Sequence, residues 1–284
     1  MSSELSGLHG LVVGGTSGIG EATALELARR GAGVTVSGRN ELAGAAIVAQ
    51  MGELGVADFA FERLDASSLK ATRAFAQKIT EARGDGALDF LVMCQSTASF
   101  GGRQETDEGF ELKLVLHAYS RFVLTEELLP LLRRGDAGRV LSVLSGGMHA
   151  AFTDWDDADL KRRFSLKRAA DAAGFYNDLA LQRFADHPDN ASVGFLHTSP
   201  GFVASKWGHQ TKAAFLIKAA QKLFAKSAAD CAQIMVGALR DPRYATGFHC
   251  VDQHGEPTKT TSAHTPENVA AMQAHLERVY ATFG

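Results

Sequence analysis

The stretch VVGGTSGIGEA, Val12 to Ala22, places Gly14, Gly18 and Gly20 between an apolar run and a helical pattern. Glycines at such a junction permit a tight turn and let the backbone approach a pyrophosphate, while the helix N-terminus adds N–H groups and the positive end of a dipole. Thr16, Ser17 and Ile19 lie in the same loop and are candidate cofactor contacts with the glycines. The next apolar run ends Ser37-Gly38-Arg39-Asn40. A carboxylate there would suit the ribose 2′-hydroxyl of NAD, whereas Arg39 offers a guanidinium suited to a 2′-phosphate and able to stack on adenine, which favours NADP(H). Cys94, Cys231 and Cys250 show no metal-ligand or CxxC spacing. No metal and no disulfide framework are therefore expected, and a reducing compartment fits.

The elements that must hold this loop are legible as alternation. GLVVGG leads to a helix ending near Arg30, VTVSG to one ending near Met51, FAFERL to one ending near Ala82, and DFLVMC follows. Short runs rich in Val, Leu and Phe without polar alternation are what a parallel sheet buried on both faces requires. The pattern is α/β, a doubly wound sheet flanked by helices. It continues with a helix from His117 to about Leu132, the strand RVLSVLS, the helical stretch Phe164 to Ala185, the strand SVGFLHT and the turn Ser199-Pro200-Gly201. A basic amphipathic helix around Lys212 to Lys226, a helix opened by Ser227 with Asp230 three residues on, and the strand GFHCVD complete it. The segment from about 255 to 284 is expected to be a surface tail.

The chain has 284 residues and a formal net charge of −3. That length suits one layered α/β domain, and the charge gives no global attraction to nucleic acid or an anionic membrane. Small molecules are the expected partners. The N-terminal MSSELSGLHG lacks an apolar core flanked by basic residues, and no apolar run reaches about 18 residues. A soluble cytoplasmic protein is expected.

The spacing Gly14-xxx-Gly18-Ile19-Gly20, the strand after Gly138-Arg139-Val140 and the turn Pro200-Gly201-Phe202-Val203 resemble the short-chain dehydrogenase/reductase family. The resemblance runs from about Gly7 to about Val251. It implies a Rossmann-type fold, a bound NAD(P) and hydride transfer to or from an alcohol or carbonyl carbon, with homo-oligomerisation by analogy. Asp65 matches the aspartate beside the adenine, and Gln95, Pro200, Gly201, Val203 and Ser205 fall at cofactor-wall positions. The wall after the fourth strand departs from the family's Asn-Asn-Ala-Gly, reading Met93-Cys94-Gln95-Ser96.

The family's catalytic group is a serine, a tyrosine and lysine four residues apart on one helix, and an asparagine on the preceding long helix. Ser145 matches the serine, and His117 stands in the asparagine's place. An insertion, AFTDWDDADLKRRFS, similar to one in the retinol-dehydrogenase-like branch, precedes the catalytic helix. Alignment across it puts the tyrosine at Ala170 and the lysine at Gly174, and no Tyr-xxx-Lys occurs anywhere in the chain. His117, Lys167 (one turn before Ala170), His149 (in the loop after Ser145) and an ordered water are the substitute candidates for proton transfer. Replacing two large side chains by alanine and glycine is expected to open space beside the nicotinamide, and a mid-helix glycine asks for a reason such as close approach of a ligand. Tyr176 is expected to be a packing residue.

From Lys206 to Lys226, Trp207, Phe215, Leu216, Leu223 and Phe224 form an apolar component of a substrate lid spanning about 203 to 226. The reading is an NADP-dependent oxidoreductase acting on a carbonyl or alcohol of an apolar or aromatic small molecule, with an atypical proton-transfer group. The alternative is a non-redox enzyme (cyclase, isomerase or lyase) or a catalytically silent NADP-binding protein on the same scaffold.

Overall fold

A computed structural model describes residues 4–55, 58–97, 101–204 and 225–283. Strand β1 (His9–Val13) is buried along its whole length, as is β4 (Phe90–Met93), and after His9, whose ring is held by Thr35 and Asp58, both are apolar on both faces. Between and beyond them run α1 (Gly18–Arg29), β2 (Gly33–Gly38), α2 (Glu41–Gly52), β3 (Phe59–Arg63) and α3 (Leu69–Arg83). Next comes α4, whose segments Leu112–Leu114 and Ser120–Leu132 flank a π turn at Val115–Tyr119. The chain continues through β5 (Arg139–Val143), α5 (Leu166–Asp186), β6 (Gly194–Thr198), α6 (Ala228–Arg240), β7 (Gly247–Val251), β8 (Pro257–Thr258) and α7 (Pro266–Tyr280).

The strands form one sheet in the order β3-β2-β1-β4-β5-β6-β7-β8, parallel from β3 to β7, with β8 antiparallel on the edge. Successive strand residues face opposite sides. Leu11 and Val13 join the apolar layer beneath α3, α4, α5 and α7, whereas Val12 joins the layer beneath α1, α2 and α6. The order reverses between β1 and β4, so their carboxyl ends border the crevice where such sheets bind ligands. These ends are very close. Gly14 has φ +74°, and a Cβ there would lie 2.6 Å from the backbone nitrogen of Gln95 just beyond β4.

The long helix starts at Leu112, five residues before the expected His117, and includes a π turn. The turn has a visible anchor: Asn177 on α5 donates its Nδ2–H to the carbonyls of His117 and Ala173, while its Oδ1 accepts from Ser142 Oγ at 2.7 Å. A π turn leaves carbonyls displaced from the regular ladder, and a buried amide is what satisfies one here.

The C-terminal segment is not a surface tail. Helix α7 packs on α5, burying Met272, Leu276 and Val279. The insertion before α5 is its other support: Trp155 Nε1–H donates to Asn268 Oδ1 at 2.9 Å, and Tyr119 Oη lies 2.7 Å from Asp159 Oδ1 and 2.8 Å from His275 Nε2. Tyr176 stacks on Trp155 and donates to the carbonyl of Ala158, so it packs rather than entering the site. The polar run 255–265 hid an apolar helical face that follows it. Residues 212–224 of the expected helix and most of the lid lie outside the described residues.

Leu276 is 2% exposed. Leu276→Ala should cost about 2–5 kcal/mol in chemical denaturation, as for a core leucine; a loss within about 0.5 kcal/mol would mean that α7 is a surface appendage.

Candidate active site

At the cofactor end, the N–H groups of Gly14 and Gly15 both donate to Ser37 O at 3.0 Å, folding the loop over the end of β2. Gly20 must lack a side chain, because a Cβ would come 2.3 Å from Gly14 O. Ser17, the N-cap of α1, makes no side-chain capping bond, which leaves the first-turn N–H groups to an anion. Thr16, Arg39, Asn40, Glu41, Leu42 and Arg63 line an open recess beside this loop. Arg63 was missed by sequence reasoning although it stands two residues before Asp65; it brings a second guanidinium from the end of β3. Asp65 itself accepts from the backbone N–H and the hydroxyl of Ser67.

The wall after β4 is pinned from below. Arg121, 2% exposed, donates to Gln95 O at 2.9 Å, Val143 O at 3.1 Å and Ser142 Oγ at 2.7 Å, tying the ends of β4 and β5 together. Burial pulls its pKa down to about 10, which keeps it charged at neutral pH. The Gln95 side chain points inward and donates to Ser120 Oγ at 3.3 Å. Gly201 has φ +69°, and Val203 pairs with Lys226 across the two ends of the undescribed segment. Ser205 lies outside the described residues.

The catalytic candidates separate. His117 Nε2 accepts the Thr97 N–H at 3.2 Å and lies 3.1 Å from Ser96 Oγ, so the ring proton resides on Nδ1. Burial, with Arg121 and Lys113 nearby, pushes its pKa down to about 3. A neutral imidazole that orders residues 96–97 is not a proton donor near pH 7. Lys167 is well exposed and ion-paired with Asp171 one turn on, whose other oxygen accepts the Ala150 N–H. It is a surface lysine held by that ion pair.

Ser145 Oγ, which has no hydrogen-bond partner among the described residues, and the His149 ring both lie against Gly174. A Cβ on Gly174 would lie 2.6 Å from Ser145 Oγ and 2.6 Å from both Cγ and Nδ1 of His149. This corrects the helix alignment by one turn. The α5 residue facing the serine is Gly174, not Ala170, which is exposed; the position four residues on is therefore Asp178. The space expected to be open is filled by the His149 ring, and close approach of that ring is why the helix needs glycine there.

Asp178 has no solvent exposure, and three imidazoles surround it. His197 Nδ1 on β6 hydrogen-bonds Oδ1, while His149 Nε2 and His264 Nε2 each lie 3.1 Å from Oδ2. Cys250 Sγ–H adds a weak contact to Oδ1 at 3.4 Å. Burial acts to raise the Asp178 pKa, but the His197 hydrogen bond and the close approach of the His149 and His264 rings outweigh it and hold the carboxyl well below the usual carboxylate range. Burial acts to lower His149, yet Asp178 prevails and its pKa is raised. His197 is pushed down by burial despite the pull of Asp178, so it contributes a hydrogen bond from a neutral ring. Its Nε2 accepts the Ser145 N–H at 3.1 Å, which fixes the proton on Nδ1. His149, Asp178 and His197 offer atoms within 4.8 Å of one another, a spacing that a metal ion could use, but a protonated Nδ1 is not a ligand. Sequence reasoning missed His197 and His264. The available signal was a histidine inside an otherwise apolar buried strand, costly unless partnered.

The family model for short chain dehydrogenases matches residues 9–155. The chain belongs to that family. It is 35% identical over 205 residues to Oxidoreductase AN1596 of Emericella nidulans, covering 71% of this chain and 60% of that protein. It is 38% identical over 206 residues to Dehydrogenase/reductase SDR family member 13 of Homo sapiens, covering 71% of this chain and 53% of the relative. The chain thus spans only somewhat more than half the length of these relatives. A metagenomic short-chain oxidoreductase in complex with NADP superposes with a TM-score of 0.63 at 18% identity, covering 91% of this chain and all of its own (100%). Among the described residues no helix is long and apolar enough to cross a membrane.

Glycine to alanine inside an open helix stabilises by about 1 kcal/mol. Gly174→Ala should instead destabilise by about 1–3 kcal/mol in a denaturant titration, because the added methyl overpacks Ser145 and His149. A stabilised variant would show that the ring does not sit there.

Proposed function

We propose that this chain is an NADP(H)-dependent oxidoreductase acting on a carbonyl or alcohol of an apolar or aromatic small molecule, in which His149, through Ser145, replaces the family's tyrosine as proton source. The observation that carries the proposal is that Ser145 Oγ and the His149 ring crowd the same side of Gly174, with His149 Nδ1 3.1 Å from the Ser145 backbone carbonyl.

The residues at the cofactor end fit the group. Gly14 and Gly20 leave a cradle that side chains would fill, and two guanidiniums, Arg39 and Arg63, border the recess where a 2′-phosphate would lie. Support for NADP comes also from the fold relative described with it. Exposed Met148 and Phe202, on the loops after β5 and β6, favour an apolar substrate, as do the lid aromatics in the sequence.

Bound NADPH supplies a hydride to the carbonyl carbon. As charge develops on the substrate oxygen, the Ser145 hydroxyl donates to it and takes a proton back from His149, whose Nδ1 must swing from the Ser145 backbone carbonyl to the neighbouring hydroxyl. Nδ1 is held 3.1 Å from the Ser145 carbonyl, so it carries its proton at rest. The neutral ring left behind keeps its proton on Nε2, toward Asp178, which stabilises that tautomer much as a triad carboxylate does.

Two measurements test this. Nicotinamide fluorescence should show tighter binding of NADPH than of NADH, and Arg39→Ala and Arg63→Ala should each weaken NADPH roughly 10- to 100-fold, the loss of a charge-assisted contact, while leaving NADH unchanged. In a screen of apolar aldehydes and ketones, Ser145→Ala and His149→Gln should each lower kcat about 10²- to 10⁴-fold. NADPH binding with no turnover of any carbonyl, or conversion of substrate without NADPH oxidation, would replace this reading with a silent cofactor-binding protein or a non-redox enzyme.

A further inference from the structure

We infer that His149, His264 and Asp178 form a binding site for one divalent transition-metal ion, zinc in the first place, and that a filled site switches off His149 as a proton donor. The metal site is independent of the redox reading; only its consequence for turnover rests on that reading.

Three buried donor atoms come together without a hydrogen-bond partner: His149 Nε2, His264 Nε2 and Asp178 Oδ2. Both nitrogens lie 3.1 Å from the carboxylate oxygen, and the side chains of His149, His264 and Asp178 are 2%, 8% and 0% exposed. Polar atoms taken out of water and left unpaired are costly, so three of them at one point ask for an occupant. Its chemistry follows from the donors. Two imidazoles and one carboxylate suit zinc and its first-row neighbours, whereas magnesium and calcium take oxygen ligands. A tetrahedral zinc with bonds of about 2.1 Å holds its ligand atoms about 3.4 Å apart, close to both nitrogen–oxygen separations here.

The far atom of each ligand is already engaged, as the supporting shell of a metal site requires. His149 Nδ1 faces the Ser145 carbonyl at 3.1 Å, and Asp178 Oδ1 is hydrogen-bonded by His197 Nδ1. His264 Nδ1 lies 3.0 Å from the Thr261 carbonyl and 3.2 Å from the Thr261 hydroxyl. An ion on Nε2 selects the tautomer with hydrogen on Nδ1, for which that carbonyl is the acceptor. His197 has both nitrogens committed, one to Asp178 and the other to the Ser145 N–H, so it orients the carboxylate from outside the metal shell. Phe175, with no exposure, packs against both the His149 and His264 rings and supplies an apolar wall. Sequence spacing conceals the site, because its ligands come from the loop after β5, from α5 and from the segment before α7.

The ion and the proton compete for one nitrogen. In the proposed reaction His149 gives up the proton on Nδ1 and remains a neutral ring because it keeps the other on Nε2. A metal ion on Nε2 takes that position, and any proton there is released to solvent as the ion binds. The ring then holds a single N–H, and surrendering it would leave an anionic imidazolate rather than a neutral imidazole. A filled site therefore retains the nicotinamide and Ser145 but has no proton to return to the serine. No bond other than those to the ion forms or breaks, and no electron moves.

The test uses the whole protein, stripped with a chelator and titrated with zinc against a chromogenic competitor, and in parallel with cobalt, whose visible absorption reports its ligands. The wild type should take up one ion per chain and melt at a higher temperature with zinc than without. His149→Gln and His264→Gln should each weaken zinc roughly tenfold or more and lose the cobalt band, while circular dichroism of the metal-free variants checks their fold. Should His149→Gln fail to fold, His264→Gln carries the test alone. No saturable zinc binding by the wild type, or a zinc affinity and cobalt band unchanged in His264→Gln, would overturn the site. Where carbonyl turnover is measurable, one equivalent of zinc should lower it roughly tenfold or more, a chelator should restore it, and His264→Gln should need roughly tenfold more zinc for the same loss. Turnover that persists with the site filled would overturn the switch and count against His149 as the proton source. A filled site in a protein that turns over no carbonyl would instead count against the redox reading and leave the metal site standing.

Discussion

A carboxylate with no solvent exposure must be neutralised by its neighbours or lose its charge, and Asp178 is such a carboxylate, set by α5 against the carboxyl ends of β6 and β7. Its partners come from four places: the loop after β5, strand β6, strand β7 and the segment before α7. None of these touches another by sequence proximity. The requirement to surround one charge therefore fixes how the carboxyl end of the second half of the sheet is closed. It also accounts for Gly174, since His149 reaches Asp178 only by crossing the helix surface one turn earlier.

The fold was legible because parallel strands and their helices carry local signatures. β1 and β4 read as uninterrupted apolar runs and are buried throughout; Ser227 accepts the Asp230 N–H as its spacing implied. The glycine-rich loop is local too: eleven consecutive residues hold Gly14 and Gly20, whose close backbone approaches the structure shows. Arg63 is not local, because the pairing of β2 with β3 brings it beside Arg39 across some two dozen residues of intervening chain.

The catalytic end resisted reading for a physical reason. With tyrosine and lysine both gone, alignment across an insertion had no internal marker, and a helix can be displaced by one turn while keeping nearly the same face. Only the contact of Gly174 with Ser145 fixes the phase. His264 is 86 residues from Asp178 in a polar stretch that looks like a surface tail, yet α7 pins that stretch down by burying Met272, Leu276 and Val279. His117 and Lys167 were drawn from sequence position alone, and their hydrogen bonds assign them to loop order and surface pairing instead.

The exchange of lysine for aspartate reverses the sign of the charge one turn beyond the serine-facing position. An ammonium there lowers the pKa of a neighbouring phenol, bringing an acid that is too weak toward neutrality. A carboxylate does the opposite to an imidazole, raising an acid that is slightly too strong toward the same range. Phenol with cation and imidazole with anion are thus two solutions to one requirement, a donor whose proton affinity matches neutral pH. The substitutions are coupled. Asp178 beside a tyrosine would push its pKa further from neutrality, and a lysine beside His149 would strip its proton. On the proposed reading neither half of the pair works without the other, and the packing of Gly174, His149 and Asp178 against one another ties the three positions together.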